Sequence, residues 1–208
     1  MAMKKLLVLL VLLGLGSMVY AQGISFGLNG GLNIPKVTGA DVSVYLDNLK
    51  SNNGIVAGAY VSIGLLPNIS IQPEMLYSQK GFKTSYDFYG ERHEQTLRIN
   101  YMEIPVLAKL SFGAIIKPYV LAGPYLATKI GTNYEETIDG IMYISTNENG
   151  LAGLDIGLTV GAGIQTPIKI SVEARYSMGL RSIYYGSELD DLDIKNSNIQ
   201  LLVGYTIF

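Results

Sequence analysis

The chain has 208 residues, of which 15 are Lys or Arg and 17 are Asp or Glu, so its formal net charge at pH 7 is only −2. This length predicts one domain, and the sequence has no basic cluster of the kind that binds nucleic acid. It contains no cysteine, which excludes disulfides, thiolate metal sites and a lipid-modified N-terminal cysteine.

The first segment has the composition of a secretory signal peptide. Lys4 and Lys5 precede an apolar run that ends shortly before the small residue Ala21. A basic start, a short apolar stretch and a small residue at the cut are typical of such signals, and the apolar run is shorter than the about 20 residues of a spanning helix. We therefore expect cleavage after Ala21, with a signal peptide at 1–21 and the folded domain at 22–208.

The next three segments alternate apolar and polar residues with a period of two, which predicts half-buried strands. In 23–34 one face carries Ile, Phe and Leu, and the other carries Gly, Ser and Asn. The segments 54–65 and 69–80 repeat the alternation. Glu74 and Lys80 fall on the polar face of the latter.

The fourth and fifth segments are strand-like but less regular. In 97–112 the apolar residues change parity near Tyr101, which indicates a bulge or a change of side there. Glu103 and Lys109 fall on the polar face of this segment. The segment 118–130 is apolar on both faces, so its inward side chains are not assigned.

The last three segments return to regular alternation. Every even position of 168–180 is apolar, so one face of about a dozen residues is apolar throughout, which is longer than a usual strand of about 5–6 residues and close to a tilted membrane crossing. The sequence therefore predicts an all-β protein, an eight-stranded antiparallel up-and-down transmembrane β-barrel. Its last three strands are 152–165, 168–180 and 198–207.

The predicted connections alternate between long and short along the chain. The short connections include Leu-Pro-Asn at 66–68 and Thr-Pro at 166–167, which are turn sequences. Outer-membrane barrels have short periplasmic turns and longer extracellular loops. We therefore expect the long connections outside the cell, where an unknown protein partner could contact them; they are 35–53, 81–96, 131–150 and 182–196.

With these features, the chain resembles the PorT-like outer-membrane β-barrel family, whose members are similar to eight-stranded barrels of the OmpA and OmpX type. The motifs are architectural, so the resemblance implies the fold and a location in the outer membrane of a Gram-negative bacterium. The association of the founding member with a secretion apparatus implies, as an alternative, an accessory role in export. The phrases that carry the likeness are GLNGG at 27–31, QPEMLYSQKG at 72–81, YMEIPVL at 101–107, KPYVLAGP at 117–124 and GAGI at 161–164.

The C-terminal strand departs from the usual pattern of such barrels in one detail. Their final aromatic residue is usually in phase with the apolar face and signals to the insertion machinery. Here Phe208 follows the apolar positions Tyr205 and Ile207 and is one residue out of phase. We expect contact with the insertion machinery through the strand ending at Phe208.

Eight charged side chains are predicted to point into the barrel. Burying a charge is costly unless it is paired, and an eight-stranded barrel is just wide enough for its side chains. We therefore expect a hydrogen-bonded plug rather than a conducting pore, with a proton relay or small-ligand site at Glu103, Glu173 and Arg175 as the open alternative. The predicted lumenal residues are Glu74, Lys80, Glu103, Lys109, Asp155, Lys169, Glu173 and Arg175.

No catalytic, cofactor or metal site is predicted. His93 is the only histidine, and we expect it to be exposed in a loop without a recognisable triad. The leading hypothesis is a non-enzymatic outer-membrane barrel, surrounded by lipid, with a structural or interaction role through its extracellular loops. Besides the export factor, the alternatives are a lipid-modifying barrel enzyme and a soluble periplasmic ligand carrier whose apolar face points inward.

Overall fold

The computed structural model of the protein describes residues 23–38, 50–88, 91–138, 141–145, 153–182 and 195–208. The predicted signal peptide lies outside these residues, as do the centres of the predicted long connections 35–53, 131–150 and 182–196. No helix in the described part of the chain is long and apolar enough to cross a membrane.

Eight long antiparallel strands form a closed ring in the described residues, which confirms the predicted all-β barrel. The order around the ring is β1, β3, β4, β5, β6, β8, β9, β10 and back to β1. Two short strands extend the sheet, β2 beside β4 and β7 beside β6. The bounds are β1 Ile24–Thr38, β2 Lys50–Asn52, β3 Gly54–Leu66, β4 Ile69–Phe88, β5 Glu91–Ser111, β6 Lys117–Ile138, β7 Ile141–Ser145, β8 Leu154–Gln165, β9 Ile170–Ser182 and β10 Lys195–Thr206.

The alternation in the sequence determines which side chains point outward. In β9, Val172 is 62 % exposed, whereas Arg175 is 2 % exposed and Glu173 is buried with it. Apolar residues therefore cover the outside of the barrel and charged residues lie inside, as in a membrane barrel. A soluble carrier would need the opposite orientation.

The two ends of the barrel differ. Short turns at 67–68, 112–116 and 166–169 lie together at one end, which we call the turn end. The opposite end, the loop end, carries the far ends of β4, β5 and β6. This asymmetry is the one expected for a barrel with short turns on one side of a membrane.

At the loop end, the prediction of long loops at 81–96 and 131–150 is wrong for the described residues. β4 and β5 remain paired up to Phe88 and Glu91, and β6 continues to Ile138 before β7 pairs with it. We call this extension the raised sheet; it comprises 81–88, 91–98, 131–138 and β7. Outside a membrane both faces of a strand can be polar, so the apolar alternation that identified the other strands is absent here.

Near Tyr101 the apolar residues of β5 change side, which is one of the two predicted alternatives: the register of β5 with β4 is unbroken, and Ile99 and Tyr101 are buried on the same inward face as Glu103.

The bulge at this level lies in the neighbouring strand β6. Asn100 pairs with Gly131, whereas Tyr101 pairs with Lys129, so Ile130 of β6 is the extra residue. An extra residue on one strand reverses which of its positions face inward.

Burial assigns the inward side of β6, which the sequence left open. On the turn-end side of the bulge the buried residues of β6 are Tyr119, Leu121, Tyr125 and Ala127. On the loop-end side the buried residue is Thr132. The aromatic and aliphatic side chains of β6 therefore fill the lumen as well as cover the outside. This explains why both of its faces are apolar in the sequence.

Candidate functional site

Seven of the eight charged residues predicted to point inward are buried in the barrel lumen, and one is not. The buried residues form two groups, named below after Arg175 and Lys80. Lys169 requires a correction, because its side chain is exposed in the turn before β9 and its Nζ donates to the carbonyl oxygen of Ile207 at 3.1 Å. The alternation did not apply to Lys169 because it lies in a turn, with φ of 66°, rather than in the strand.

The Arg175 cluster is built around a bidentate ion pair that crosses the lumen. Arg175 Nη1 and Nη2 donate to the two carboxylate oxygens of Glu74 at 2.7 and 2.8 Å. Its Nε donates to Glu173, two residues earlier on the same strand. One guanidinium therefore satisfies two buried carboxylates, with the planar fork geometry that suits arginine.

Neighbouring polar groups complete the Arg175 cluster. Tyr119 OH donates to Glu173 Oε2 at 2.7 Å, and Gln72 Nε2 donates to Glu74 Oε1 at 2.6 Å. Lys109 Nζ donates to Gln72 Oε1 at 3.4 Å and lies 3.8 Å from the centroid of the Tyr119 ring. The cluster thus contains two acids and two bases, so its formal charges cancel.

The Lys80 cluster lies nearer the loop end. Lys80 Nζ is 3.6 Å from Glu103 Oε2 and 3.8 Å from Asp155 Oδ2, with side chains that are almost completely buried. The rings of Tyr101 and Tyr125 flank the ammonium group, with centroids at 5.1 and 5.4 Å. These are ion-pair and cation–π distances rather than short hydrogen bonds.

Asp155 is the best-connected acid of the Lys80 cluster. Its Oδ2 accepts from Asn196 Nδ2 at 3.1 Å and from Tyr125 OH at 3.3 Å. The cluster has two acids for one base, so these neutral donors contribute to stabilising the second carboxylate.

Polar and apolar layers fill the lumen between and around the clusters. Asn33 donates to Ser78 at 3.0 Å and accepts from Asn198 at 3.0 Å. Buried Val56, Leu76 and Leu202 pack together as a separate group. The described strands therefore fill the interior with their own side chains, as expected for eight strands.

Sequence reasoning missed the neutral members of both clusters. Tyr119 and Tyr125 lie on β6, the strand whose inward side was not assigned, and Gln72 and Asn196 have no charge to draw attention to them. The alternation of residues along β4 could have identified Gln72, since it lies on the same inward face as Glu74.

His93 does not lie in an exposed loop, so that prediction is wrong. It lies in β5 on the raised sheet, its side chain is 13 % exposed, and its ring stacks on Tyr86 with centroids 5.1 Å apart. Its Nδ1 is 3.5 Å from Glu136 Oε1. Gln95 links the same groups, since its Nε2 donates to Tyr86 OH at 3.0 Å and to Glu136 Oε1 at 3.1 Å.

Within the described ranges, His, Asp and Glu side chains are nowhere grouped in threes in a way that could hold a metal ion. The acids of the lumen instead face arginine, lysine and tyrosine. The arrangement is therefore that of a charge-paired interior.

Strands that are apolar outside and charged inside, closed into a ring of eight, define a transmembrane β-barrel. A family model described as "Outer membrane protein beta-barrel domain" matches residues 20–185. The chain belongs to this family, and it is an outer-membrane protein. No curated protein sequence matches it.

Solved barrel structures are similar to this chain at low sequence identity. The attachment invasion locus protein Ail of Yersinia pestis is 14% identical, with 88% of this chain and 98% of that chain covered and a TM-score of 0.44. Neisserial surface protein A is 14% identical, with coverages of 88% and 98% and a TM-score of 0.43. OprG from Pseudomonas aeruginosa is 11% identical, with coverages of 88% and 95% and a TM-score of 0.47. The family assignment rests on the family model rather than on these likenesses.

Proposed function

We propose that this protein is a non-enzymatic outer-membrane barrel that holds the raised sheet outside the cell as an interaction surface. The observation that carries the proposal is the length of three neighbouring strands. β4, β5 and β6 have 20, 21 and 22 residues, whereas a membrane crossing needs about 9–11. The surplus is roughly ten residues on each strand, and the part of each strand that belongs to the raised sheet, about eight residues, extends about 25 Å.

The raised sheet has the composition of a recognition surface on a rigid support. Tyr86 and Tyr143 are exposed large side chains on its strands, and Gln95 donates hydrogen bonds to both Tyr86 and Glu136. Tyrosine gives large contact area at low conformational cost, and interfaces are enriched in it. A surface built on paired strands is also more precisely positioned than one on loops.

The filled lumen supports an anchoring role over a transport role. The Arg175 and Lys80 clusters extend across the interior from several strands. Side chains held in this way occupy the space through which an ion or solute would pass. We propose that they form a structural plug.

Three finer assignments belong to the same proposal. Residues 1–21 are a cleaved signal peptide and 22–208 the barrel domain, as the N-terminal composition supports. The chain is a PorT-like member of its family, because the five phrases of that resemblance fall in β1, β4, β5, β6 and β8. Phe208 serves the insertion machinery, a role supported by its exposed ring, which stacks on Phe26 of β1 at 5.9 Å.

Shortening the hairpin tests the proposed role of the raised sheet. Phe82 and Leu97 are direct cross-strand partners, so a two-residue Asn-Gly turn can replace 83–96 without changing the register below it. A photo-crosslinking residue at Tyr143 reports contacts of the sheet on intact cells, and one at Ile168 in a turn reports the other end. We expect a discrete adduct at position 143 that disappears in the shortened variant, while the barrel still folds and any adduct at position 168 is unchanged.

Two results would contradict the proposal. A Tyr143 adduct that persists after shortening would mean that the hairpin does not form the contact surface. A shortened chain that no longer folds into membranes would mean that the raised sheet is part of the folding unit rather than a surface that the barrel carries.

A further inference from the structure

The two faces of the raised sheet carry different chemistry. The outer face continues the lipid-facing wall of the barrel, and the lysine and arginine residues of the raised sheet lie on it; they are Lys83, Arg92 and Arg98. The opposite face continues the wall of the lumen, and we call it the lumen-side face. It carries tyrosine, histidine, amide and carboxylate side chains, which include Tyr86, His93, Gln95, Tyr134, Glu136 and Tyr143.

Glu136 lies at the centre of the lumen-side face. Its direct cross-strand partners are Gln95 on β5 and Tyr143 on β7, and Tyr134 precedes it by two residues on the same face of β6. Directly paired residues have Cβ atoms about 5 Å apart. The pKa of the Tyr134 hydroxyl is raised, mainly by burial and then by the negative charge of Glu136. One carboxylate is therefore flanked by two tyrosine side chains.

The carboxylate of Glu136 is held in place and remains accessible to solvent. Gln95 Nε2 donates to its Oε1 at 3.1 Å, and His93 Nδ1 lies 3.5 Å from the same oxygen. Gln95 is fixed in turn by its hydrogen bond to Tyr86 OH at 3.0 Å. The Glu136 side chain is 26 % exposed, and Tyr143 is 55 % exposed. The face thus presents a positioned carboxylate beside an open aromatic ring.

The lumen of the same barrel shows which group such side chains accommodate. Lys80 Nζ lies 3.6 and 3.8 Å from two carboxylates, and the ring centroids of Tyr101 on β5 and Tyr125 on β6 lie 5.1 and 5.4 Å from it. A cation over a tyrosine ring is attracted by the negative face of the ring. The lumen-side face has the same combination of tyrosine and carboxylate, but none of the lysines and arginines in the described part of the raised sheet lies on it. A cation from a ligand would complete the arrangement.

We propose that the lumen-side face binds a soluble ligand that carries a quaternary ammonium group of the choline type. The proposal rests on the proposed function, in which the raised sheet is an interaction surface, and it names the chemistry of the partner. The trimethylammonium group contacts the rings of Tyr134 and Tyr143, and Glu136 supplies the opposite charge.

Two features of the face favour this class of ligand. Tyrosine-lined sites are well suited to quaternary ammonium ions, whereas a primary ammonium is strongly hydrated and, in the case of Lys80, is paired with two buried carboxylates. The lumen-side face is partly exposed, so it favours the more weakly hydrated ion. The face also points over the mouth of the lumen rather than towards the surrounding lipid, so a soluble ligand reaches it and a lipid headgroup of the same membrane does not.

Binding of choline to the purified protein gives the main test. The protein is folded in dodecyl maltoside micelles, which carry no ammonium group, and choline is titrated while its methyl protons are observed by NMR. We expect saturable binding of choline. Its neutral carbon isostere, dimethylbutanol, has the same shape without the charge and should not bind. Ethanolamine should bind about tenfold more weakly than choline.

Substitutions on the two faces of the raised sheet locate the site. We expect Glu136→Gln to weaken choline binding about fivefold and Tyr143→Leu about threefold, whereas Tyr143→Phe keeps the ring and should retain the wild-type affinity. Glu94→Gln is the control for charge, because Glu94 is an exposed acid on the outer face of the same sheet. Tyr205→Leu is the control for the ring, since Tyr205 is exposed on the outside of the barrel wall. Heat-modifiable mobility on gels checks that each variant is folded.

Three results would overturn the proposal. They are a lack of saturable choline binding, equal binding of choline and its neutral isostere, and an equal loss of binding in Glu136→Gln and Glu94→Gln. Each of them leaves the proposed function intact, because the Tyr143 adduct on intact cells does not require choline. Conversely, a Tyr143 adduct that persists after shortening of the hairpin contradicts the proposed function, while the titration in micelles measures choline binding independently.

Discussion

Arg175 is the central cation of the ion-pair network in the part of the lumen nearer the turn end. It is the cation that contacts both Glu74 and Glu173, and these acids reach it from β4 and from its own strand β9. Removing one member of a buried ion-pair network is expensive because the remaining charge loses its partner in a medium that solvates it poorly.

We expect Arg175→Met to destabilise the folded barrel by about 3–5 kcal/mol, because two buried carboxylates are left facing each other. Urea unfolding in phospholipid vesicles measures the loss, followed by tyrosine fluorescence since the chain has no tryptophan. Arg181→Met is the control, an exposed arginine near the end of the same strand. If both variants lose the same stability, the ion-pair network does not contribute what its geometry implies.

A second residue-scale feature is the close approach of lumenal tyrosines to glycines. A Cβ on Gly27 would meet the ring of Tyr60 and lie 2.6 Å from the carbonyl oxygen of Tyr205. Tyr60 OH is itself fixed by a hydrogen bond to Thr206 Oγ1 at 2.7 Å. In the same strand, a Cβ on Gly30 would meet nothing within 4 Å.

We therefore expect Gly27→Ala to cost about 1–3 kcal/mol through overpacking, and Gly30→Ala to change stability by no more than about 0.5 kcal/mol. The same urea titration compares the two. A Gly27→Ala variant as stable as Gly30→Ala would show that Tyr60 moves aside freely and that the contact is not a constraint.

At the scale of strands, the sequence predicts the strand segments that cross the membrane. It does not predict how far the strands continue outside the membrane. The eight predicted segments correspond to the eight long strands, because each has an outer face in contact with hydrocarbon and an inner face that is polar or small. β4 to β6 were predicted too short since, in the raised sheet, Lys83, Arg92 and Glu94 can face water without an apolar partner face.

The candidate lumenal residues follow the same logic. The alternation of apolar and polar residues identified Glu74, Lys80 and Arg175 as lumenal. A charged residue on such a strand has to face the lumen, because the other face contacts lipid. The alternation could not identify Tyr119 or Tyr125, whose apolar rings fit either side of β6. Their positions depend on the register of β6 with β5 and β8 and on the acids that their hydroxyl groups contact, which are long-range features.

An arginine on the outer face tests the orientation of β9. We expect Val172→Arg to cost about 2–4 kcal/mol, because the charge would enter the hydrocarbon region. Asn133→Arg is the control, since Asn133 is exposed on β6 within the raised sheet and its replacement should be close to neutral. Unfolding of both variants from vesicles gives the comparison, and a Val172→Arg protein as stable as the wild type would contradict a lipid-facing Val172.

For the whole molecule, closure and asymmetry together determine what the protein can present to its surroundings. The pairing of β1 with β10 closes the ring, so the eight long strands that the structure describes leave no edge facing lipid. Short turns gather at one end and the raised sheet at the other. The two sides of the membrane therefore meet different surfaces, and the direction of insertion decides which of them the cell exterior meets.

Single cysteines determine that direction directly, because the native chain has none. Arg92 lies on the raised sheet with a side chain that is 68 % exposed, and its surface ion pair with Glu94 contributes little to stability. We expect an impermeant maleimide to label Arg92→Cys on intact cells and Lys117→Cys, at the turn end, only after the outer membrane is opened. Both cysteines should react in detergent, which controls for their accessibility. The reverse pattern would place the raised sheet in the periplasm, where its tyrosines and Glu136 would face periplasmic rather than extracellular partners.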